Sequence, residues 1–260
     1  MAPRPIQHKA RIYTGFPGSS YVLPSDEPER ERCYINLEWG LALQHRILRR
    51  VYDGKLLLAP VSLQDNSLVL ETGSGSAVWL LDFAKELPSS VKLEGIDIEA
   101  RLFPVDPPDN ITLSTCSVTD LPSQWTNRFA LLCEAGERIA GPITVRHSRF
   151  VEKLCASRGL FTRCAHHMPR MLAEAGFTNV HVEKRSVPVG RWAGPEGADL
   201  RDNLLGVWKG QKTPFLNAGG FGYVHSEAEF DRRIEDVRKE WDETPGAHAD
   251  IFIFYAQKVR

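Results

Sequence analysis

The residues whose types and spacing could do chemistry lie between positions 66 and 97. Glu71-Thr72-Gly73-Ser74-Gly75 places a carboxylate directly ahead of a Gly-x-Gly turn, and Asp97 follows 22 residues after Gly75. Gly73 and Gly75 permit φ > 0 and a close approach of backbone to a ligand. Before the turn runs Leu68-Val69-Leu70, within a strand expected over 66–72. After it, 77–87 is apolar almost all round, which predicts a helix buried against a sheet. Strand, turn and helix in this order read as a nucleotide-type site, with the first N–H groups of the helix facing whatever sits on the turn. An acidic residue ending the next strand, here Asp97, suits ribose hydroxyls.

Two cofactor classes compete for such a turn: a nicotinamide or flavin dinucleotide, and S-adenosylmethionine. Val78 stands where the dinucleotide pattern Gly-x-Gly-x-x-Gly needs its third glycine for close helix–strand packing. The chain also lacks the Tyr-x-x-x-Lys of a common oxidoreductase type. Both facts weigh against the dinucleotide.

The elements that must position these residues follow from the rest of the chain. With 260 residues, 42% hydrophobic and 25% charged, a packed core is expected and disorder is not. A formal net charge of -1 argues against a general nucleic-acid binder. Arg46, Arg49 and Arg50 form a local basic cluster that reads as a solvated helix face. The five cysteines are scattered and contain no Cys-x-x-Cys, so neither a disulfide framework nor a zinc site is expected, and no other metal. There is no apolar signal core and no run long enough to span a membrane, so a cytoplasmic protein is the expectation.

In chain order, 1–24 reads as an irregular Pro/Gly arm. Ser25-Asp26 reads as a helix cap, with helix continuing to about Tyr52 and stopping at Asp53-Gly54. Strands are expected over 66–72, 91–98, 111–116 and 129–133. The first two, with the helix between them, make a right-handed parallel βαβ unit. Helices follow over 144–157 and 167–174, then an alternating strand over 180–187. A helix over 201–209, a charged outer helix over 227–240 and a final strand over 251–256 complete the chain. The fold class is α/β with a mainly parallel sheet. The organisation expected is an arm and helical cap over 1–65 and a Rossmann-like domain over 66–260, with a helical insertion near 190–245.

Several segments together resemble the fungal class I S-adenosylmethionine-dependent methyltransferases, the group that includes LaeA-like and secondary-metabolite enzymes. They are Tyr21-Val-Leu-Pro-Ser-Asp26, Gln44-His45, Gly54-Lys55-Leu56, Leu58-Ala59-Pro60, Glu71 to Trp79, Gly95-Ile-Asp-Ile98, Asp120-Leu-Pro122 with Trp125, Glu134-Ala-Gly136, Leu172 to Phe177, and Trp241 to Gly246. The resemblance implies a Rossmann-like sheet with helices on both faces and S-adenosylmethionine as cofactor. Glu71, Thr72, Gly73, Ser74 and Gly75 would wrap its methionine part. Asp97 would hold the ribose, Ile98 would pack near the adenine, and Ser117 and Val118 would sit at the adenine edge. Tyr21 and Gln44 would close over the cofactor only if they are not ordinary packing or surface residues, and the latter is the better reading. Asp120 reads as a turn residue.

The resemblance also implies a small-molecule methyl acceptor, with O, N and C all open. His166, His167, Glu134 and His147 are the candidate bases, and none is singled out as catalytic. Trp192, Trp208, Phe215, Phe221 and Tyr223 could line an acceptor pocket, although core packing accounts better for most of them.

The chain departs from the pattern in two places. Residues 33–40 look like an insertion. Phe129-Ala-Leu-Leu132 runs straight into Cys133-Glu-Ala-Gly136, where the family has a further helix and loop, so a few dozen residues are missing from the middle. Then one strand must serve where two are expected, or the sheet loses a strand. An open edge of that kind favours association, as a homodimer. It also leaves room for a catalytically impaired protein that binds cofactor or regulates.

Overall fold

The computed structural model describes residues 4–13, 15–26, 41–123, 131–139 and 141–258. The chain divides into two compact units. One comprises Glu27–Glu134, Met168–Glu183 and Ile253–Arg260; the other comprises Met1–Asp26, Ala135–His167 and Lys184–Phe252.

The first unit contains α1 (Leu41–Val51), β1 (Leu68–Thr72), α2 (Val78–Ala84), β2 (Lys92–Asp97) and β3 (Ile111–Thr115). The strands form a parallel sheet in the order β1-β2-β3. Val69 pairs with Leu93 and Glu71 with Gly95, while Leu93 pairs with Ile111 and Asp97 with Thr115. Side chains alternate faces along a strand, so Val69, Glu71, Leu93, Gly95 and Asp97 share one face. Val69, Leu93 and Ile111 pack there with Leu80 and Phe83 of α2.

The expected helix over 77–87 is shorter than its apolar run. It spans seven residues, and within it only Leu80 and Phe83 are buried. Trp79 is half-buried because its indole N–H donates to the Leu56 carbonyl at 2.9 Å. The same face explains Gly95: a Cβ there would come within 2.5 Å of Leu113 and 2.7 Å of Leu80.

Arg49 corrects one expectation, because it is not a solvated cation. Its Nη1 donates to Asp82 Oδ2 at 2.8 Å and its Nη2 to Glu86 at 2.6 Å, which ties α1 to α2. His45 Nε2 meets the same Asp82 oxygen at 2.8 Å. Burial pushes the Asp82 carboxyl up, but His45, Lys85 and Arg49 outweigh it and hold it at about 2.

Beyond β3 lie β4 (Leu131–Ile139), α3 (Pro142–Ser157), α4 (Cys164–Glu174), β5 (Phe177–Pro188), α5 (Gly194–Gly210), α6 (Lys212–Asn217), α7 (Glu227–Glu243) and β6 (His248–Lys258). The strands β4, β6 and β5 make a second three-stranded sheet in that order. A doubly wound sheet continues past its first strand on both sides. Among the described residues β1 has β2 as its one sheet neighbour, and a single strand, β4, carries the run from Leu131 through Gly136.

The second unit packs α3, α5, α6 and α7 around aromatic side chains. The rings of Trp208 and Trp241 lie 5.3 Å apart and those of Phe215 and Phe230 5.6 Å apart. The charged run expected as an outer helix is α7, and it is longer and more buried than its charge suggests. Phe230, Ile234, Val237 and Trp241 recur at helical spacing and are all buried, leaving the charges on the other face. Ser226 caps its start by accepting the Glu229 N–H at 3.1 Å.

The arm is less irregular than its composition suggests. The Ile6 N–H donates to the Leu216 carbonyl at 2.9 Å and the Tyr13 hydroxyl to the Gly210 carbonyl at 3.0 Å. The oxygens of Asp26 take the Arg11 guanidinium at 2.9 and 2.5 Å. The helix expected to start at Ser25-Asp26 runs into 27–40, outside the described residues.

Glu240, on α7, supplies a cap to α3 that no local pattern announces. It accepts the Ile143 N–H at 2.8 Å, and the Thr144 N–H and hydroxyl at 2.7 and 2.6 Å. Gly141 precedes the helix without a capping side chain, and a Cβ on it would run into Glu240. Glu240→Ala is expected to cost about 1–2 kcal/mol, the scale of a lost N-cap. An unchanged urea midpoint would show that this cap contributes nothing.

Candidate functional site

Each of the nine residues assigned to the cofactor from sequence lies in the first unit, at or just beyond the C-terminal ends of the parallel strands. Ligands of open α/β sheets bind at such strand ends. Glu71 and Thr72 end β1. Gly73 and Gly75 take φ of 71° and 52°, and Ala77 follows at 55°. Two glycines absorb the left-handed backbone, which an alanine tolerates at a cost.

The turn is fastened by one carbonyl: Ile96 O accepts the Gly73 N–H at 2.7 Å and the Ser74 N–H at 2.9 Å. A Cβ built on Gly73 would have nothing within 4 Å, so this side of the turn is open.

Asp97 ends β2 with both oxygens engaged. Oδ2 accepts the Gly75 N–H and Oδ1 the Glu99 N–H, each at 2.9 Å. The second contact is a local turn that Asp makes readily. Sequence reasoning missed that Asp97 shapes the glycine turn; the spacing of 22 residues was visible, but its geometric meaning was not. Glu99 was missed too. It accepts the Arg101 N–H at 3.1 Å and its Nε at 2.8 Å, opening the short helix Ala100–Leu102.

Ile98 is half-buried. Ser117 meets the Thr119 hydroxyl at 2.8 Å and accepts its N–H at 3.2 Å, while Val118 stands 58% exposed. Asp120 closes a turn through its N–H on the Ser117 carbonyl at 3.0 Å, as its sequence reading expects.

Two buried polar atoms at the turn lack a hydrogen-bond partner: Oε2 of Glu71 and Oγ of Ser74. Burial, and then the charge of Asp97, push the Glu71 carboxyl up to about 8. A buried carboxyl and a buried hydroxyl without partners beside an open glycine turn are groups that can take a ligand's ammonium.

Most of the remaining sequence candidates fall in the second unit. His147 is buried in the second unit, with its ring 4.5 Å from Trp208 and 5.7 Å from Tyr223. His166 and His167 are exposed on α4, Gln44 is exposed on α1, and Tyr21 is exposed on the arm. The Glu134 side chain lies outside the described residues. Trp208, Phe215 and Tyr223 are core residues, while Trp192 is partly exposed and its indole N–H donates to Val189 O at 2.8 Å. Among the described residues no group of three His, Cys, Asp or Glu could hold a metal, and no helix is long and apolar enough to cross a membrane.

Comparison with known proteins agrees with the motifs. The chain is 29% identical over 272 residues to the N-methyltransferase sirN of Leptosphaeria maculans, covering 87% of this chain and 89% of that protein. It is 32% identical over 144 residues to the N-methyltransferase tcpN of Claviceps purpurea, covering 54% of this chain and 47% of that one. Among solved structures it is similar to Haemonchus contortus phosphoethanolamine N-methyltransferase 2, with a TM-score of 0.43 and 11% identity over 85% of this chain and 53% of that one. No protein-family model matches. The chain is thus similar to fungal N-methyltransferases and, over 40% of its length, to a fungal regulator of secondary metabolism.

The alignment with the Leptosphaeria protein is longer than the part of this chain that it uses. Its 272 positions can be filled by 87% of 260 residues, about 226, so about 46 positions have no counterpart here.

Proposed function

We propose that this chain is an S-adenosylmethionine-dependent methyltransferase that transfers a methyl group to a nitrogen of a small secondary-metabolite acceptor. The observation that carries the reading is the open glycine turn, with its two unpartnered polar atoms, at the ends of parallel strands. These two atoms fit the methionine part of the cofactor, whose ammonium seeks acceptors. Glu71, Thr72, Gly73, Ser74 and Gly75 wrap that part, Asp97 takes the ribose, and Ile98, Ser117 and Val118 border the adenine.

The bound cofactor supplies an electrophilic methyl on a sulfonium. The chain's own work is alignment and exclusion of water, and alignment alone supplies up to about 7–11 kcal/mol. A nitrogen acceptor that arrives neutral needs no strong base. The names of the relatives, N-methyltransferases, support nitrogen.

Calorimetric titration of the full chain tests the reading: S-adenosylmethionine is expected to bind and NAD is not. Methyl transfer to amine-bearing small molecules is the second measurement. Binding of NAD alone would overturn the cofactor assignment.

The arrangement of the described strands in two three-stranded sheets favours one further reading, a methyltransferase-like protein that binds cofactor but is impaired in turnover. Binding without transfer across a panel of amine acceptors would select it. Among the described residues β1 has one sheet neighbour, and its other edge supports a homodimer built through it. A monomer in sedimentation velocity at micromolar concentration would rule the dimer out.

A further inference from the structure

Glu71 is an unusual carboxyl for a site meant to work at neutral pH. Its Oε2 is buried without a hydrogen-bond partner, and so is the hydroxyl of Ser74, a residue only 6% exposed. Glu71 shares a sheet face with Asp97, the end residue of the neighbouring strand. Asp97 offers no relief, because a carboxylate that accepts the N–H groups of Gly75 and Glu99 has no hydrogen of its own to donate. It is also the charged group that acts on Glu71 among the described residues. An ionised carboxylate that is buried, short of donors and beside a second carboxylate is costly, and protonation removes the cost.

We propose that Glu71 carries a proton in the ligand-free protein and releases it to solvent when a cationic ligand settles on the glycine turn. The inference rests on the cofactor reading above, in which that ligand is S-adenosylmethionine. The cofactor brings an ammonium and a sulfonium against one carboxylate, so it enters with one net positive charge. Glu71 then becomes a carboxylate, its proton goes to buffer, and no covalent bond to the cofactor forms or breaks. Charge is matched in both states. The unpartnered oxygen gains a cation or donor, and the Ser74 hydroxyl gains an acceptor.

The consequence is a pH-dependent affinity. Burial and Asp97 push the ligand-free carboxyl up to about 8, so binding below that pH must displace a proton. Affinity for S-adenosylmethionine is then expected to rise about tenfold per pH unit from about pH 6 to about pH 8 and to level off above.

The test is calorimetry of the full chain with S-adenosylmethionine at pH 7, in buffers of different ionisation enthalpy. Release of close to one proton per cofactor supports the proposal. Glu71→Gln is expected to bind with no proton release and no pH slope. Asp97→Asn, whatever it does to affinity itself, is expected to move the break in the pH profile downward, because it removes the neighbouring charge.

Binding by the unaltered chain without proton release overturns the proposal and leaves the cofactor reading standing. Undiminished proton release by Glu71→Gln does the same. Absence of binding at any pH overturns the cofactor reading and this proposal with it.

Discussion

Gly73→Val yields a folded protein that no longer binds S-adenosylmethionine. Gly73 sits at φ 71°, a left-handed conformation that costs an ordinary residue about 1–2 kcal/mol and a β-branched one more. A Cβ there meets no protein atom within 4 Å, so the core does not resist the new side chain. What resists is the turn, whose Gly73 N–H is held by the Ile96 carbonyl at 2.7 Å. Valine must either strain that contact or move the turn, and its methyl groups fill the open side proposed for the cofactor. Affinity is expected to fall at least a hundredfold, about 3 kcal/mol, with the far-ultraviolet circular dichroism unchanged. Retained affinity would remove the cofactor from this turn.

Asp242→Ala is the largest expected loss of stability. Arg201 is 4% exposed, and its Nη1 donates to both Asp242 oxygens at 2.7 and 2.9 Å. Asp242 also accepts the Arg191 N–H at 2.8 Å and meets Arg238 Nη1 at 3.1 Å. Removing it leaves a buried guanidinium with Asp202, at 2.8 and 2.9 Å, as its one charged partner among the described residues. Breaking a buried pair from one side costs about 3–5 kcal/mol, and the remaining partner places this case near 3.

Arg201→Met removes the charge instead of stranding it and is expected to cost less, because Asp242 keeps Arg191 and Arg238. Urea unfolding of the two variants checks the order. If Arg201→Met is the more damaging, the guanidinium contributes more by packing than the buried-charge argument allows.

These two outcomes depend on different kinds of information. The glycine turn was legible because its signals are local. A Gly-x-Gly after a short apolar strand restricts the backbone whatever surrounds it, and the acidic residue ending the next strand follows from the length of one βαβ unit. The same holds for the final strand and for α3, which starts at Pro142 and ends near Gly159. The strand order was not legible: that β1, among the described residues, pairs with β2 alone needed the observed pairing.

The partners of the charged residues were not legible. Arg49 reads as surface until Asp82, 33 positions away, is seen beside it. Glu240 reads as one charge among many on α7, yet it caps a helix 96 residues earlier. Arg201 and Asp242 are 41 residues apart and nothing in their neighbours pairs them. Charged side chains carry no periodic signal for their partners.

By itself the sequence determined the backbone of the site: the glycines at positive φ, the carboxylate before them, and the strand that brings Asp97 alongside. Backbone preference and side-chain period act over a few residues, and those constraints survive in any tertiary setting. Only the tertiary structure decided that Asp97 spends both oxygens on backbone N–H groups and that Glu71 and Ser74 are left with buried, unpartnered atoms. Burial and hydrogen-bond satisfaction are properties of everything packed around a group, and chains far apart in sequence set them together.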